Sequence, residues 1–216
     1  MKTYYSPGCG VLDYKPELAK KIEEYLKSQG KIEESYLPCC WNKPEFDETV
    51  MIINTCPGCD KRFRNWHDNT ETVTLWEVLL DCDFDYPDYG GIEMSIHDSC
   101  DTKMHPQILD AVREIAKRMN IRVVEPEVYT RENARCCGES YTGGKLSPEE
   151  VVGKTKERCG DFPCKDVITY CTGCAGFLQY GGVKTHHLLD LLYNEETTIA
   201  LPKIEGYVVG PDMFTK

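Results

Sequence analysis

Cys136 and Cys137 stand side by side, followed by Gly138, in the stretch NARCCGES, and a second vicinal pair stands at Cys39 and Cys40. Two neighbouring thiols are poorly suited to bridge each other. Their Cα atoms lie about 3.8 Å apart across a trans peptide, below the roughly 4.4–6.8 Å of ordinary disulfides. A single zinc ion prefers pairs separated by two to four residues. On a regular strand the two side chains would point to opposite faces. Both can serve one site if the chain turns there or if the site is large. Gly138 permits a turn and a close backbone approach. A polynuclear iron–sulfur cluster is large enough to take thiolates from several directions.

The remaining cysteines place these pairs in a repeated order. Cys9, Cys39, Cys40, Cys56 and Cys59 follow the pattern C-x29-CC-x15-CxxC, and Cys100, Cys136, Cys137, Cys171 and Cys174 follow C-x35-CC-x33-CxxC. A lone CxxC says little, but five cysteines in one order, twice, point to an internal duplication. Buried cysteine acting as a small apolar residue explains isolated cases, not a duplicated quintet. Four of each five could close a zinc tetrahedron and leave one thiol over. A cluster could use all five, so the residues alone leave zinc and iron–sulfur both open. The ferredoxin run C-x2-C-x2-C-x3-CP is absent. Cys82, Cys159 and Cys164 lie outside the repeat and read as structural, although Cys159 and Cys164 have a spacing that could hold a minor metal pair.

Other residues are candidates around these sites. His97 precedes Cys100 by three residues, and His186 and His187 precede an apolar LLDLL; each could hydrogen-bond a sulfur or donate a proton, or simply start a surface helix. Lys145 and Lys184 could attract an anionic substrate. Tyr4, Tyr5, Trp41 and Tyr141 flank the cysteine loops as packing or as pocket lining.

The elements that must position these groups repeat as well. Short strands are expected at 2–6 and 93–97, each running into a cysteine loop. Pro16 and Pro106 suit the first turn of a helix. Leu18, Ile22, Tyr25 and Leu26, and then Ile108, Leu109, Val112, Ile115 and Ala116, form apolar stripes at helical spacing. Gly30 and Asn120 fit helix ends. Further strands are expected at 32–37 and 121–125, and TVMIIN and DVITY read as buried strands that lead into each CxxC. A helix is expected after each CxxC, with LWEVLL and HLLDLL as short helical closures. Ser147 and Glu150 form a capping box for a helix across 148–158. The first half has only WNKPEFDE at that place, so the helix should be missing and the first site less covered. The fold class is therefore α/β: two tandem pseudo-symmetric repeats, each a small parallel-strand unit with cysteines at strand ends. The expected divisions are 1–92, 93–193 and a C-terminal tail, 194–216.

The totals narrow the function. The chain has 216 residues, with 13 cysteines, about 6%, short of the roughly 8–10% of disulfide scaffolds. The opening MKTYYSPGCG has no apolar signal segment, and no apolar run approaches the roughly 20 residues of a membrane span. The expectation is a cytoplasmic protein without membrane insertion, whose thiols serve metal or redox chemistry. The net charge of −11 argues against nucleic acid as the main partner.

HDSC, RCCGES and TYCTGCAGFL, with the duplicated lone cysteine, CC and CxxC, resemble the cysteine-rich CCG domain family, which includes the catalytic B subunit of heterodisulfide reductase. The likeness runs to about residue 193. It implies an anaerobic iron–sulfur oxidoreductase subunit with two noncubane [4Fe-4S] clusters, one on Cys9, Cys39, Cys40, Cys56 and Cys59, the other on Cys100, Cys136, Cys137, Cys171 and Cys174. It also implies a small disulfide or thiol substrate held between the clusters. The electrons would come from a separate iron–sulfur or flavin protein subunit, since the chain carries no motif for either. In the first repeat Trp41 replaces the motif's glycine, so a different cluster or zinc could sit there. Two other readings are a non-catalytic electron-transfer or scaffold subunit of a larger oxidoreductase, and a structural zinc protein.

Overall fold

The duplicated order of cysteines folds as two separate parallel sheets. The computed structural model describes residues 1–144 and 146–204. The chain divides into two compact units, Met1–Phe84 and Asp85–Lys216; the second is described as far as residue 204.

In the first unit the order is β1 (Thr3–Ser6), α1 (Cys9–Tyr14), α2 (Pro16–Ser28), β2 (Glu34–Ser35), β3 (Val50–Asn54), α3 (Pro57–Trp66), β4 (Thr70–Thr74) and α4 (Leu75–Leu80). The sheet order is β2-β1-β3-β4, all parallel, with Tyr5 opposite both Ser35 and Ile53. The second unit runs β5 (Glu93–Ile96), α5 (Pro106–Arg118), β6 (Arg122–Val123), α6 (Pro148–Gly160), β7 (Asp166–Thr169), α7 (Thr172–Gly181), β8 (Lys184–His187) and α8 (Leu188–Leu192). Its sheet repeats the order β6-β5-β7-β8, again all parallel.

The helices form where the sequence pattern places them. Pro16 and Pro106 occupy the first turns of α2 and α5. Leu18, Ile22 and Leu26 of α2, and Ile108, Leu109, Val112, Ile115 and Ala116 of α5, are buried, each large aliphatic side chain contributing roughly 1.5–3 kcal/mol. Both helices end on a left-handed residue, Gly30 at φ 64° and Asn120 at φ 54°. The sequence reading missed the fourth strand of each sheet. TETVT of β4 and KTHH of β8 are largely polar. Edge strands of this kind carry no apolar run.

The predicted difference between the halves is present. Ser147 and Glu150 cap α6 reciprocally, and the helix runs two residues past the expected 158. Among the described residues of the first unit, no helix lies between Cys40 and β3.

Candidate metal centres

All ten repeated cysteines follow the carboxyl ends of strands. Cys9 and Cys56 come after β1 and β3, and Cys100 and Cys171 after β5 and β7. These are the neighbouring pairs at which each sheet's strand order reverses, where open α/β sheets place their ligands. The vicinal pairs lie on the loops leaving β2 and β6. Each CxxC straddles a helix start: Cys56 and Cys171 are N-caps, while Cys59 and Cys174 lie in the first turns of α3 and α7. A helix N-terminus favours the thiolate form, but at Cys59 and Cys174 hydrogen bonding to neighbouring thiols and burial outweigh it.

In the first unit Cys9 Sγ lies 3.6 Å from Cys39 Sγ. Cys59 hydrogen-bonds to both Cys40 and Cys56, and Cys9 feels the charges of Cys39, Cys56 and Cys40. All five sulfurs therefore share one neighbourhood. Burial, with Cys39 next, raises the Cys9 thiol's pKa; hydrogen bonding to Cys40 and Cys56, with burial, raises that of Cys59. Cys40 moves the other way, because it accepts from Cys59 and is faced by Arg62. Arg62 Nη1 lies 3.9 Å from Cys40 Sγ and is anchored on the Gly58 carbonyl at 3.0 Å. Its guanidinium stacks over Trp41 at 4.0 Å and Trp66 at 5.1 Å. Trp41 thus covers a site that has no helix above it.

The second quintet forms a continuous chain. Cys100 hydrogen-bonds to Cys136, Cys137 to Cys136, and Cys174 to both Cys137 and Cys171. Cys136 collects further donors: Ser140 Oγ at 2.9 Å, and the Ser140 and Gly138 amides at 3.4 Å each. The Cys100 and Cys137 bonds come first in lowering its pKa, and Ser140 and Gly138 add to them against burial. The donating thiols Cys100, Cys137 and Cys174 are pushed up correspondingly. Tyr170, just before the CxxC, ties the Cys100 loop down: its hydroxyl accepts from the Ser99 amide at 3.1 Å and lies 2.9 Å from Thr102 Oγ1. Tyr5 plays a similar part in the first unit, its hydroxyl 3.1 Å from Thr55 Oγ1. Behind the Cys100 loop, buried Asp98 takes a two-pronged bond from Arg113, at 2.9 and 2.8 Å, and the Arg131 amide at 2.7 Å.

Gly138 has φ 130° and sits directly against α6. A Cβ there would overlap Thr155 Oγ1 and stand 3.0 Å from Phe177 Cδ1. The glycine is thus required by the helix lying over the pair.

The other sequence candidates separate. His97 is buried, and its ring joins Cys137 and Cys174 in a group with donor atoms within 4.8 Å of one another. His186 instead bonds Asp166, at the amino end of β7, at 2.7 Å, and Lys184 Nζ stands 3.9 Å from the same carboxylate. His187 caps α8 through Nδ1, which accepts from the Leu189 amide. Among the described residues, neither His186 nor His187 joins such a metal-binding group. Lys145 lies outside the described residues. Tyr4 and Trp41 pack against the apolar cluster around Cys40 and Cys59, and Tyr141 against that around Cys136, Cys137 and Cys174. Cys82 and Cys159 bond the carbonyls of Val78 and Leu178. The sequence reading passed over Glu139, whose carboxylate groups with Cys171 and Cys174 within 4.8 Å, and the arginines Arg62 and Arg158. The position of Glu139 directly after CCG was the available signal for it; for the arginines, nothing local marked them among 25 lysines and arginines.

The donor chemistry fits a bound metal group. All 13 cysteines are free thiols. Two thiolates about 2.3 Å from one tetrahedral ion stand about 3.8 Å apart, close to the 3.6 Å between Cys9 and Cys39. Five clustered sulfurs, partly or fully buried, cannot all ionise beside one another without a cation among them. Four would complete a zinc tetrahedron, and each unit offers a fifth. Compared with known proteins, the chain matches no family model, no curated protein and no solved structure. No helix among the described residues is long and apolar enough to cross a membrane.

Proposed function

We propose that each cysteine quintet binds an iron–sulfur cluster, a noncubane [4Fe-4S] group, and that the chain is an oxidoreductase subunit reducing or forming a small disulfide, resembling heterodisulfide reductase. The observation that carries this reading is the gathering of five sulfurs, twice, at the strand-order reversal of each sheet, one more than zinc needs. Two such groups would supply, one apiece, the two electrons that an S–S bond takes. The chain's own residues shape both sites. Tyr170, Thr102 and the Asp98–Arg113 pair hold the Cys100 loop. Ser140 and the Gly138 amide stabilise charge on Cys136 by hydrogen bonding, and the Arg62 cation does so for Cys40. Electrons come from a separate iron–sulfur or flavin subunit.

Anaerobic metal and sulfide analysis tests the cofactor. The expected content is about eight iron and about eight sulfide per chain. Stoichiometric zinc in a colourless protein would refute it. Electron paramagnetic resonance tests the reaction: the signal of the loaded protein changes on adding a thiol or disulfide. A redox-active signal indifferent to both would make the chain an electron relay.

A further inference from the structure

His97, at the end of β5, is 1% exposed. Its Nδ1 accepts a hydrogen bond from Arg158 Nε at 3.3 Å. Arg158 is wholly buried and is fixed in turn by Asp161, at 3.1 Å, and by the Tyr129 carbonyl at 2.9 Å. Its guanidinium also lies over the Phe162 ring at 4.2 Å. A guanidinium can only donate, so Nδ1 carries no proton and the ring's N–H is on Nε2. That Nε2 is buried and has no hydrogen-bond partner. A neutral histidine binds metal through its unprotonated nitrogen, and here Arg158 already occupies that nitrogen. What remains, on the ring grouped with Cys137 and Cys174, is a donor.

We propose that His97 is a positioning residue, locked by Arg158 in its Nε2–H tautomer, that donates a hydrogen bond to sulfur on the Cys137–Cys174 side of the second quintet. For the loaded protein this rests on the iron–sulfur reading above. Hydrogen bonds to sulfur are one of the levers that set an iron–sulfur group's potential, and withdrawing charge from sulfur favours the reduced state. With Nδ1 accepting from Arg158 Nε, the ring is a neutral donor through Nε2. In the first quintet Ser6 stands three residues before Cys9 where His97 stands before Cys100. The first site lacks this histidine, so the donor inferred here acts on the second site alone.

Two measurements test the proposal. Nitrogen-15 NMR of the metal-free, labelled full chain, with His97→Gln to assign the signal, should show the Nε2–H tautomer. Arg158→Met should populate the Nδ1–H form. An Nδ1–H tautomer or a charged ring in the unsubstituted protein would overturn the lock, whether or not iron binds. In anaerobically loaded protein, His97→Leu should keep its iron but shift the second group to lower potential. His97→Gln, which keeps a donor at the same reach, should stay near the unsubstituted value. Equal potentials in all three would overturn the donor role, and loss of iron from both variants would make His97 a ligand. A chain that takes up no iron at all would sink the iron–sulfur reading, and the NMR result would still decide the tautomer.

Discussion

Replacing Gly138 with alanine tests whether the helix above the vicinal pair dictates the glycine. Two costs add. At φ 130° a side chain is held in a sparsely populated backbone region, at about 1–3 kcal/mol. The new Cβ would also overlap Thr155 Oγ1 and press on Phe177 at 3.0 Å, an overpacking of about 1–3 kcal/mol. The sum, roughly 4 kcal/mol, is a large share of the ~5–15 kcal/mol that holds a domain together. Thr155→Ala separates the two costs. Thr155 Oγ1 is buried without a partner, so its removal breaks no hydrogen bond. With it gone, the nearest atoms to the added Cβ are Phe177 Cδ1 at 3.0 Å and the residue-155 Cβ at 3.3 Å. The double variant should therefore recover about 1–2 kcal/mol, the relievable part of the overpacking, and keep the backbone cost. Hydrogen exchange of the α6 and α7 peptides reads this out, since protection follows local unfolding free energy. Gly138→Ala should lower protection on the order of a thousandfold, and the double variant should restore roughly tenfold. Protection within threefold of the unsubstituted chain, or no relief from Thr155→Ala, would refute the argument.

Three further outcomes follow from the same contacts. Trp41→Ala removes the ring under Arg62, 4.0 Å away, and should cost about 0.5–2 kcal/mol in a urea melt followed by the fluorescence of Trp66 and Trp76; an unchanged midpoint would show that the stack covers nothing. Tyr170→Phe leaves the Ser99 amide and Thr102 hydroxyl without this partner, at about 1–3 kcal/mol, and should speed alkylation of Cys100 in the metal-free protein; an unaltered rate would mean the loop is held elsewhere. Cys82→Ala and Cys164→Ala should retain full metal content by elemental analysis, whereas Cys137→Ala or Cys174→Ala should lose metal from one site; equal loss in all four would break the assignment of quintets.

The architecture was legible because the same physical signals occur twice. Proline at the first turn, an apolar stripe at helical spacing and a left-handed terminator at Gly30 or Asn120 specify α2 and α5 without tertiary information. The buried strands β3 and β7 announce themselves as β-branched runs. The edge strands β4 and β8 do not, because half of each faces solvent and their polar residues match loop composition. The histidines show the limit on sites. His97, His186 and His187 looked alike as residues near cysteines. Which one turns toward sulfur depends on partners distant in sequence: Arg158 for His97, 61 residues on, and Asp166 for His186, 20 residues back. A single sequence offers no local cue to such pairings.

The exchange of Gly138 for Trp41 between the repeats has a physical logic that the cysteine pattern conceals. The two vicinal pairs occupy corresponding loops, yet only one is followed by glycine. Where α6 is present, its Thr155 fills the volume above the residue after the pair, and a side chain there has no room. In the first unit, where no such helix lies among the described residues, Trp41 packs against the cluster around Cys40 and Cys59 and contacts Arg62 and Trp66. Both solutions bury the pair's second cysteine, Cys40 at 4% and Cys137 at 1% exposure. The glycine therefore reports what covers the site, and its loss in the first repeat leaves the sulfur donors in place. A helical cover is secured by a capping box and a packed face, whereas the Trp41 side chain is secured by its stack on Arg62, about 0.5–2 kcal/mol, an edge contact with Trp66, about 0.5–1.5 kcal/mol, and packing on the Cys40 cluster. The first site is then the one that opens more readily, and exchange of small molecules with its sulfurs should be faster there than at the second.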